Sequence, residues 1–179
     1  MFCLEVARLA DDDKFIIDWE VTANQIKESF KETFWSKEKG YLADYVNGDF
    51  KDWSIRPNMV FATSLPYSPL SEKIRQLILE LLKRELLTPR GLRTLSPNSP
   101  DYKDVYFGDQ FNRDIAMHQG TVHPWLLGHF AEGYLKIHGK GGLSLIKGIY
   151  ENFEPCVKEH GISSISEDRK STRLNSSHS

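Results

Sequence analysis

Apolar residues recur at helical spacing along most of this chain. Trp19, Ala23, Ile26, Phe30 and Phe34 follow one another at intervals of four, three, four and four, which sets them on one face of a helix. Residues 2–10 read as the end of a further helix whose beginning lies outside the sequence. The segment "SPLSEKIRQLILELLKREL" offers Ser68 as an N-cap and Pro69 as the first helical residue. Leu70, Ile74, Leu77 and Leu81 then form a stripe that Ile78, Leu82 and Leu86 broaden. Pro57 opens a short buried helix in "PNMVFATSL". Pro124 opens another, which turns Leu127, Phe130, Ala131, Tyr134 and Ile137 inward. A last helix is expected from about Ser144 to Glu159, with Ile146, Ile149, Phe153 and Val157 inward.

No stretch alternates apolar and polar residues over the four to eight positions of a half-buried strand. The pattern therefore predicts an all-α fold of about six helical pieces joined by unequal loops. The glycine-rich "GKGGLS" at 139–144 follows no strand and reads as a helix–helix turn, not a phosphate loop. Two connections are long, residues 40–58 and 86–122. Structureless connections of that length are uncommon in a compact domain and tend to carry function. The end of the chain, "DRKSTRLNSSHS", is polar and Ser-rich, with no apolar stripe to bury. It resembles the translation of a sequencing adapter. The expected organisation is thus one domain over residues 1–167 and a disordered, foreign tail over 168–179.

Composition adds exclusions. At 179 residues the chain is long enough for one sizeable core, and its net charge of −2 argues against a dedicated binder of nucleic acid or membrane surfaces. No apolar run approaches the ~20 residues that span a bilayer, and the start lacks the pattern of a signal peptide. Cys3 and Cys156 form no CxxC pair; they read as free thiols, which fits a reducing, cytoplasmic setting. Aromatic residues make up 12% of the chain, which suits a large aromatic core or a sugar-binding surface.

The long loops hold groups suited to hydroxyls: Arg56, Asn58, Thr88, Arg90, Arg93, Thr94, Tyr106, Asp109, Gln110, His118, Gln119 and Trp125. Arginine is a planar fork of donors, Asn and Gln both donate and accept, and Trp offers a flat apolar face. Asp114 beside Arg113 reads as an ion pair that holds its loop. Trp125 either stacks on a sugar or packs beneath the loop. His118 either contacts a hydroxyl or holds the loop through a hydrogen bond. His118, His123 and His129 stand five and six residues apart, unlike the HExxH pattern, so no metal or other cofactor is expected.

The motifs "RPN", "SLPYSPLS", "LLTPRGLRTLSP", "YFGDQFNRDIAMHQGTVHPWLLG" and "GISSISE" closely resemble the C-terminal part of the amylo-α-1,6-glucosidases, the glucosidase domains of glycogen debranching enzymes. The resemblance runs from about Trp19 to Glu167 in order and spacing. It implies a partial (α/α)6 toroid, about half of the full barrel, and hydrolysis of α-1,6-linked glucose at branch points with inversion. Inverting glycosidases need two carboxyl groups about 6.5–9.5 Å apart, one acid and one base. The resemblance assigns the base to Glu167 and the acid to an Asp upstream of this sequence, so the fragment alone is expected to be inactive. Arg56, Asn58, Arg93, Asp109, His118, Gln119 and Trp125 are the candidate substrate-binding residues. Arg56, Arg93, His118, Gln119 and Glu167 are expected to share one concavity. The implied partners are glycogen or a limit-dextrin-type α-glucan and the missing N-terminal half of the domain, whose absence should leave an apolar flank exposed. Met59, Met117 and His123 depart from the Gln, Tyr and Trp usual in the family, which bears on substrate preference. The alternative reading is a helical module that binds glucan or protein without chemistry.

Overall fold

The computed structural model describes residues 1–103 and 109–155, apart from the side chains of Asn112 and Arg113. Helices α1 (Phe2–Leu9) and α2 (Asp13–Phe34) lead into two short hairpins, β1 (Trp35–Ser36) with β2 (Tyr41–Leu42) and β3 (Val46–Asn47) with β4 (Phe50–Lys51). A 3-10 turn over Pro57–Val60 runs directly into α3 (Phe61–Ser64), and α4 (Glu72–Glu85) follows. Then come β5 (Leu87–Thr88), β6 (Gly91–Arg93), α5 (Gln110–His118), β7 (Val122–His123) and α6 (Leu126–His138). A second 3-10 turn, Gly139–Gly142, joins α6 to α7 (Leu143–Phe153).

The chain is mostly helical, as the periodicity predicts, but it is not all-α. Among the described residues every strand is two or three residues long. Alternation over so short a span cannot be told from chance, which is why the pattern missed them. The ladders shorten both long connections, and the second, expected to be loop throughout, also holds the helix α5. The hairpins occupy much of residues 40–58, and the three-stranded sheet in the order β5-β6-β7 pins residues 87–93 against 122–123.

The core gathers around the 3-10 turn, α4 and α6, where Val60, Ile78, Leu79, Leu82, Leu86 and Phe130 are fully buried. Each such side chain contributes roughly 1.5–3 kcal/mol by leaving water. Helices α3 and α6 lie side by side and run in the same sense. Phe61 meets His129, with ring centroids 4.7 Å apart, and Ser64 at the other end of α3 accepts on its carbonyl from Lys136 Nζ. The approach is close because Gly133 has no side chain: a Cβ there would stand 2.6 Å from Thr63 Oγ1.

Two details of α4 differ from the sequence pattern. Its N-cap is Ser71, whose hydroxyl accepts from the Ile74 amide, while Ser68 donates to the Ala62 carbonyl 2.5 Å away. The chain therefore makes one more turn before the helix starts. Leu77 is exposed, and the buried face centres on Ile78 and Leu82. Helix α2 is correctly placed by its stripe, yet none of its 22 residues is buried. The last helix is described to Phe153; Val157, Cys156 and residues 168–179 lie outside the described residues.

The sheet depends on Gly91. A Cβ at that position would lie 2.6 Å from the His123 carbonyl oxygen and 2.7 Å from Val122 Cγ1. Gly91→Ala is therefore expected to force β6 and β7 apart and to lower stability by about 1–3 kcal/mol. Urea unfolding of the two proteins measures the difference, and an unchanged midpoint would show that β7 is free to shift.

Candidate functional site

The site is built around Arg56. The residue before a proline is pushed into extended backbone, and Arg56 adopts φ −122°, ψ 159° ahead of Pro57. That geometry sends its side chain away from the helical turn and across the ends of the neighbouring segments. Nη1 donates to the Thr94 carbonyl at 3.1 Å and to the His118 carbonyl at 2.5 Å. Nη2 donates to Gln119 Oε1 at 3.0 Å, and Nε lies 3.8 Å from Asp44 Oδ2. One guanidinium thus ties together segments 38 and 62 residues distant in sequence.

Each partner is fixed in turn. Asp44 follows β2, and its amide donates to the Asp52 carbonyl at 2.8 Å across the base of the β3–β4 hairpin. Its Oδ1 accepts from Asn58 Nδ2 at 2.8 Å. Thr94 donates its amide to the Thr121 carbonyl and accepts the Gly120 amide on its hydroxyl, both at 2.9 Å. Two residues on, Ser96 donates its amide to the Ile55 carbonyl at 3.0 Å, which returns the strand to the residue beside Arg56. Glu85, at the end of α4, holds this loop by accepting from Ser96 Oγ at 2.9 Å and Asn98 Nδ2 at 2.8 Å. Burial pushes the Glu85 pKa up, but hydrogen bonds from Arg84, Ser96 and Asn98 together outweigh it and hold the carboxyl below its ordinary range.

An aromatic row begins beside this cluster. Phe61 stands one helical turn past Pro57; its ring lies 5.9 Å from that of Trp125, and His129 closes the row with Nδ1 3.0 Å from Ser64 Oγ. Trp125 is exposed, so it is not packed beneath a loop. Between α2 and α3 runs a groove of about 420 Å³, lined by Phe30, Phe34, Asp44, Asn58, Phe61 and Tyr67 among others. It adjoins a second groove of about 480 Å³, where Phe15, Trp19, Ala23, Ile26 and Phe30 lie against the start of α1. Asp44 and Asn58 make one end polar; the rest is mainly apolar, with Thr22, Lys27, Tyr67 and Ser68 as its polar lining.

The structure brings Arg56, Asn58 and Gln119 together, with His118 joined through its carbonyl while its imidazole is exposed. Trp125 borders the same region through Phe61. Arg93 sits in β6 opposite Val122, next to the Thr94 that Arg56 reaches. Asp109 is exposed just ahead of α5, with the length of that helix, roughly 13 Å at 1.5 Å per residue, between it and His118. Asp114 accepts from Gln110 Nε2 at 2.7 Å. Glu167, Tyr106 and Gly108 lie outside the described residues. Among the departures, Met59 is buried on the groove floor and His123 is half-buried in β7. Asp44 was missed because it is one of several aspartates in its loop and nothing in the sequence marks it out. Among the described residues, no group of three or more His, Cys, Asp or Glu could hold a metal ion, and no helix is long and apolar enough to cross a membrane.

Two outcomes follow from this network. Arg56→Lys keeps the charge but not the fork, leaving carbonyl and amide acceptors short of donors; a loss of about 1–3 kcal/mol is expected. Urea unfolding reads that loss, and amide exchange should quicken at residues 119–122. For Glu85 the folded pKa is depressed, so its contribution to stability is present above the unfolded value and is lost as pH falls through the folded one. Glu85→Gln should therefore flatten the fall in melting temperature between about pH 5 and pH 3, where an ordinary carboxyl titrates. A parallel fall in both proteins would remove Glu85 from that role.

A protein 26% identical over 97 residues is described as the glycogen debranching enzyme of Saccharomyces cerevisiae. The match covers 51% of this chain and 6% of that protein, so the chain spans a small part of its relative's length. The family profile described as amylo-alpha-1,6-glucosidase matches residues 3–177. By that match over nearly its whole length, the chain belongs to the amylo-alpha-1,6-glucosidase family.

Proposed function

We propose that this chain forms the glucan-facing part of a debranching glucosidase, a glycoside hydrolase that removes α-1,6-linked glucose from branch points with inversion. The observation that carries this reading is the Arg56 fork. It ties Asp44, Thr94, His118 and Gln119 from three separate segments to one place, where Asn58 donates to Asp44 and the row of Phe61 and Trp125 begins. Hydroxyl-binding groups next to flat apolar rings are the complement of a pyranose, whose rim is polar and whose faces are not. Family membership supplies the substrate class, a glycogen or limit-dextrin-type α-glucan.

In this reading Glu167 is the general base that takes a proton from water as it attacks the anomeric carbon. The general acid, which gives its proton to the departing glycosidic oxygen, is an Asp from a segment outside this sequence. Asn58 and Gln119 bind sugar hydroxyls, Trp125 stacks on a ring, and Arg56 fixes the loops that carry them. Arg93, Asp109 and His118 contribute further along the glucan. The helices form about half of an (α/α)6 toroid. The side-by-side pair α3 and α6, backed by α4, suits two inner helices covered by an outer one. The uncovered stripe of α2 supports a second partner, the rest of the same domain, since apolar patches of more than a few hundred Å² on a soluble chain usually mark an interface.

The chain by itself is expected to release no glucose from a limit dextrin, because it lacks the acid. In an enzyme completed by the upstream segment, Glu167→Gln should lower glucose release by about 10²–10⁴-fold while oligosaccharide binding is retained. Glucose release by the 179-residue chain alone would place a general acid within it. Full turnover by the Gln variant would make Glu167 a bystander. Binding of branched glucan by a completed protein that performs no hydrolysis would favour a non-catalytic glucan-binding module.

A further inference from the structure

We propose that Asp44 is a further substrate-contacting residue, and that its carboxylate and the Asn58 amide take adjacent hydroxyls of a terminal glucose unit seated at the polar end of the α2–α3 groove. The inference rests on the glucan reading above and adds to it a residue and a place. The Asp44 carboxylate is held but not saturated. Its Oδ1 accepts from Asn58 Nδ2 at 2.8 Å. Its Oδ2 faces Arg56 Nε at 3.8 Å, an ion-pair distance too long for a hydrogen bond. A carboxylate oxygen has room for two donors, and a hydroxyl is a good one. Asn58 is exposed and gives only one amide hydrogen to Asp44, so its carbonyl oxygen and second N–H remain for a ligand.

Position and rigidity favour the same use. Asp44 and Asn58 both line the groove, and Phe61 lines it with them. A cavity of about 420 Å³ lies within the usual range of small-molecule sites, roughly 300–1,000 Å³. The backbone of Asp44 is fixed by its amide's bond to the Asp52 carbonyl, and its side chain by Asn58 and Arg56. A group already held in place loses little freedom when a ligand arrives. Neighbouring hydroxyls on a pyranose present donors a few ångströms apart, which matches a carboxylate and an amide that touch each other. The Phe61 ring offers an apolar face to the sugar's CH surface.

The test is a titration of the 179-residue chain with an α-1,6-branched glucose trisaccharide and its monodeoxy analogues, followed by calorimetry and amide NMR. Asp44→Asn is expected to weaken binding of the parent sugar by roughly tenfold or more, since hydrogen bonds to charged groups are the stronger ones. One deoxy analogue should bind the wild type as weakly as the variant does and lose nothing further to the substitution. The wild-type titration should also shift the Asn58 side-chain amide and the backbone amides of Asp44 and Tyr45, a readout that holds even if the variant fails to fold. Sugar binding that leaves those amides unmoved, or equal losses for every analogue, would overturn the role of Asp44 while the glucan reading stands. No binding by the wild type would remove the glucan reading and this inference with it.

Discussion

A guanidinium that loses water must find acceptors, and the arrangement of this chain's loops follows from how Arg56 finds them. Its side chain is only 19% exposed. Two of its acceptors are backbone carbonyls and one is an amide oxygen, none of which could be replaced by an apolar group without leaving a donor unmet. The cost of an unpaired buried cation is high, so the loops close around Arg56 instead of drifting as surface connections do. The extended backbone imposed by Pro57 aims the fork across the loop ends, and the short ladder β5-β6-β7 presents the segment 119–121 to it. Local chain chemistry and long-range pairing thus agree on one placement.

That placement is transmitted from the core. The 3-10 turn that begins at Pro57 continues into α3, and α3 is pressed against α6 at Thr63 and Gly133. The contact sets the axial position of both helices, and therefore the height at which Asn58, Phe61 and Trp125 stand relative to one another. On the far side, Glu85 ends α4 and ties the Ser96 loop to it. The polar cluster therefore rests on rigid elements at each edge, although nearly all its members come from connections. Residues held this way keep their geometry before a ligand arrives, which is the usual requirement of a recognition site.

What could be read from the sequence divides along physical lines. The longer helices were legible because a 3.6-residue period repeats within them, as with Phe30 and Phe34 on α2 or Phe130 and Tyr134 on α6; α5 was not, because its residues show no clean apolar period and read as part of the loop 86–122. Strands such as Val122–His123 were not, since two residues contain no period. The start of α4 was misplaced because Ser68 and Ser71 are both competent caps, and tertiary bonding of Ser68 to Ala62 decides between them. Arg56, Asn58 and Gln119 were found by side-chain type in an unusual loop. Asp44 was hidden because its importance lies in two contacts, to Arg56 and Asn58, that no local pattern encodes. Glu167 was singled out only through family resemblance, since nothing local distinguishes a glutamate after "SIS" from a solvated one.

The grooves beside α2 carry this reasoning one step further, because their two ends suit different occupants. A sugar laid along the mainly apolar stretch between Ile26 and Tyr67 would bury more hydroxyls than the few polar groups there can answer, at a cost of roughly 1–3 kcal/mol for each left unmet. A helix laid over Asp44 and Asn58 would bury a carboxylate that Arg56 only partly answers. In the proposed reading the polar end takes the ligand rich in hydroxyls, and the mainly apolar stretch takes protein. Phe30 lines both grooves and marks where the two regimes meet. In the proposed enzyme, the protein that covers the α2 stripe lies beside the sugar site, while the polar groups that hold the sugar come from this chain and are already in place within it.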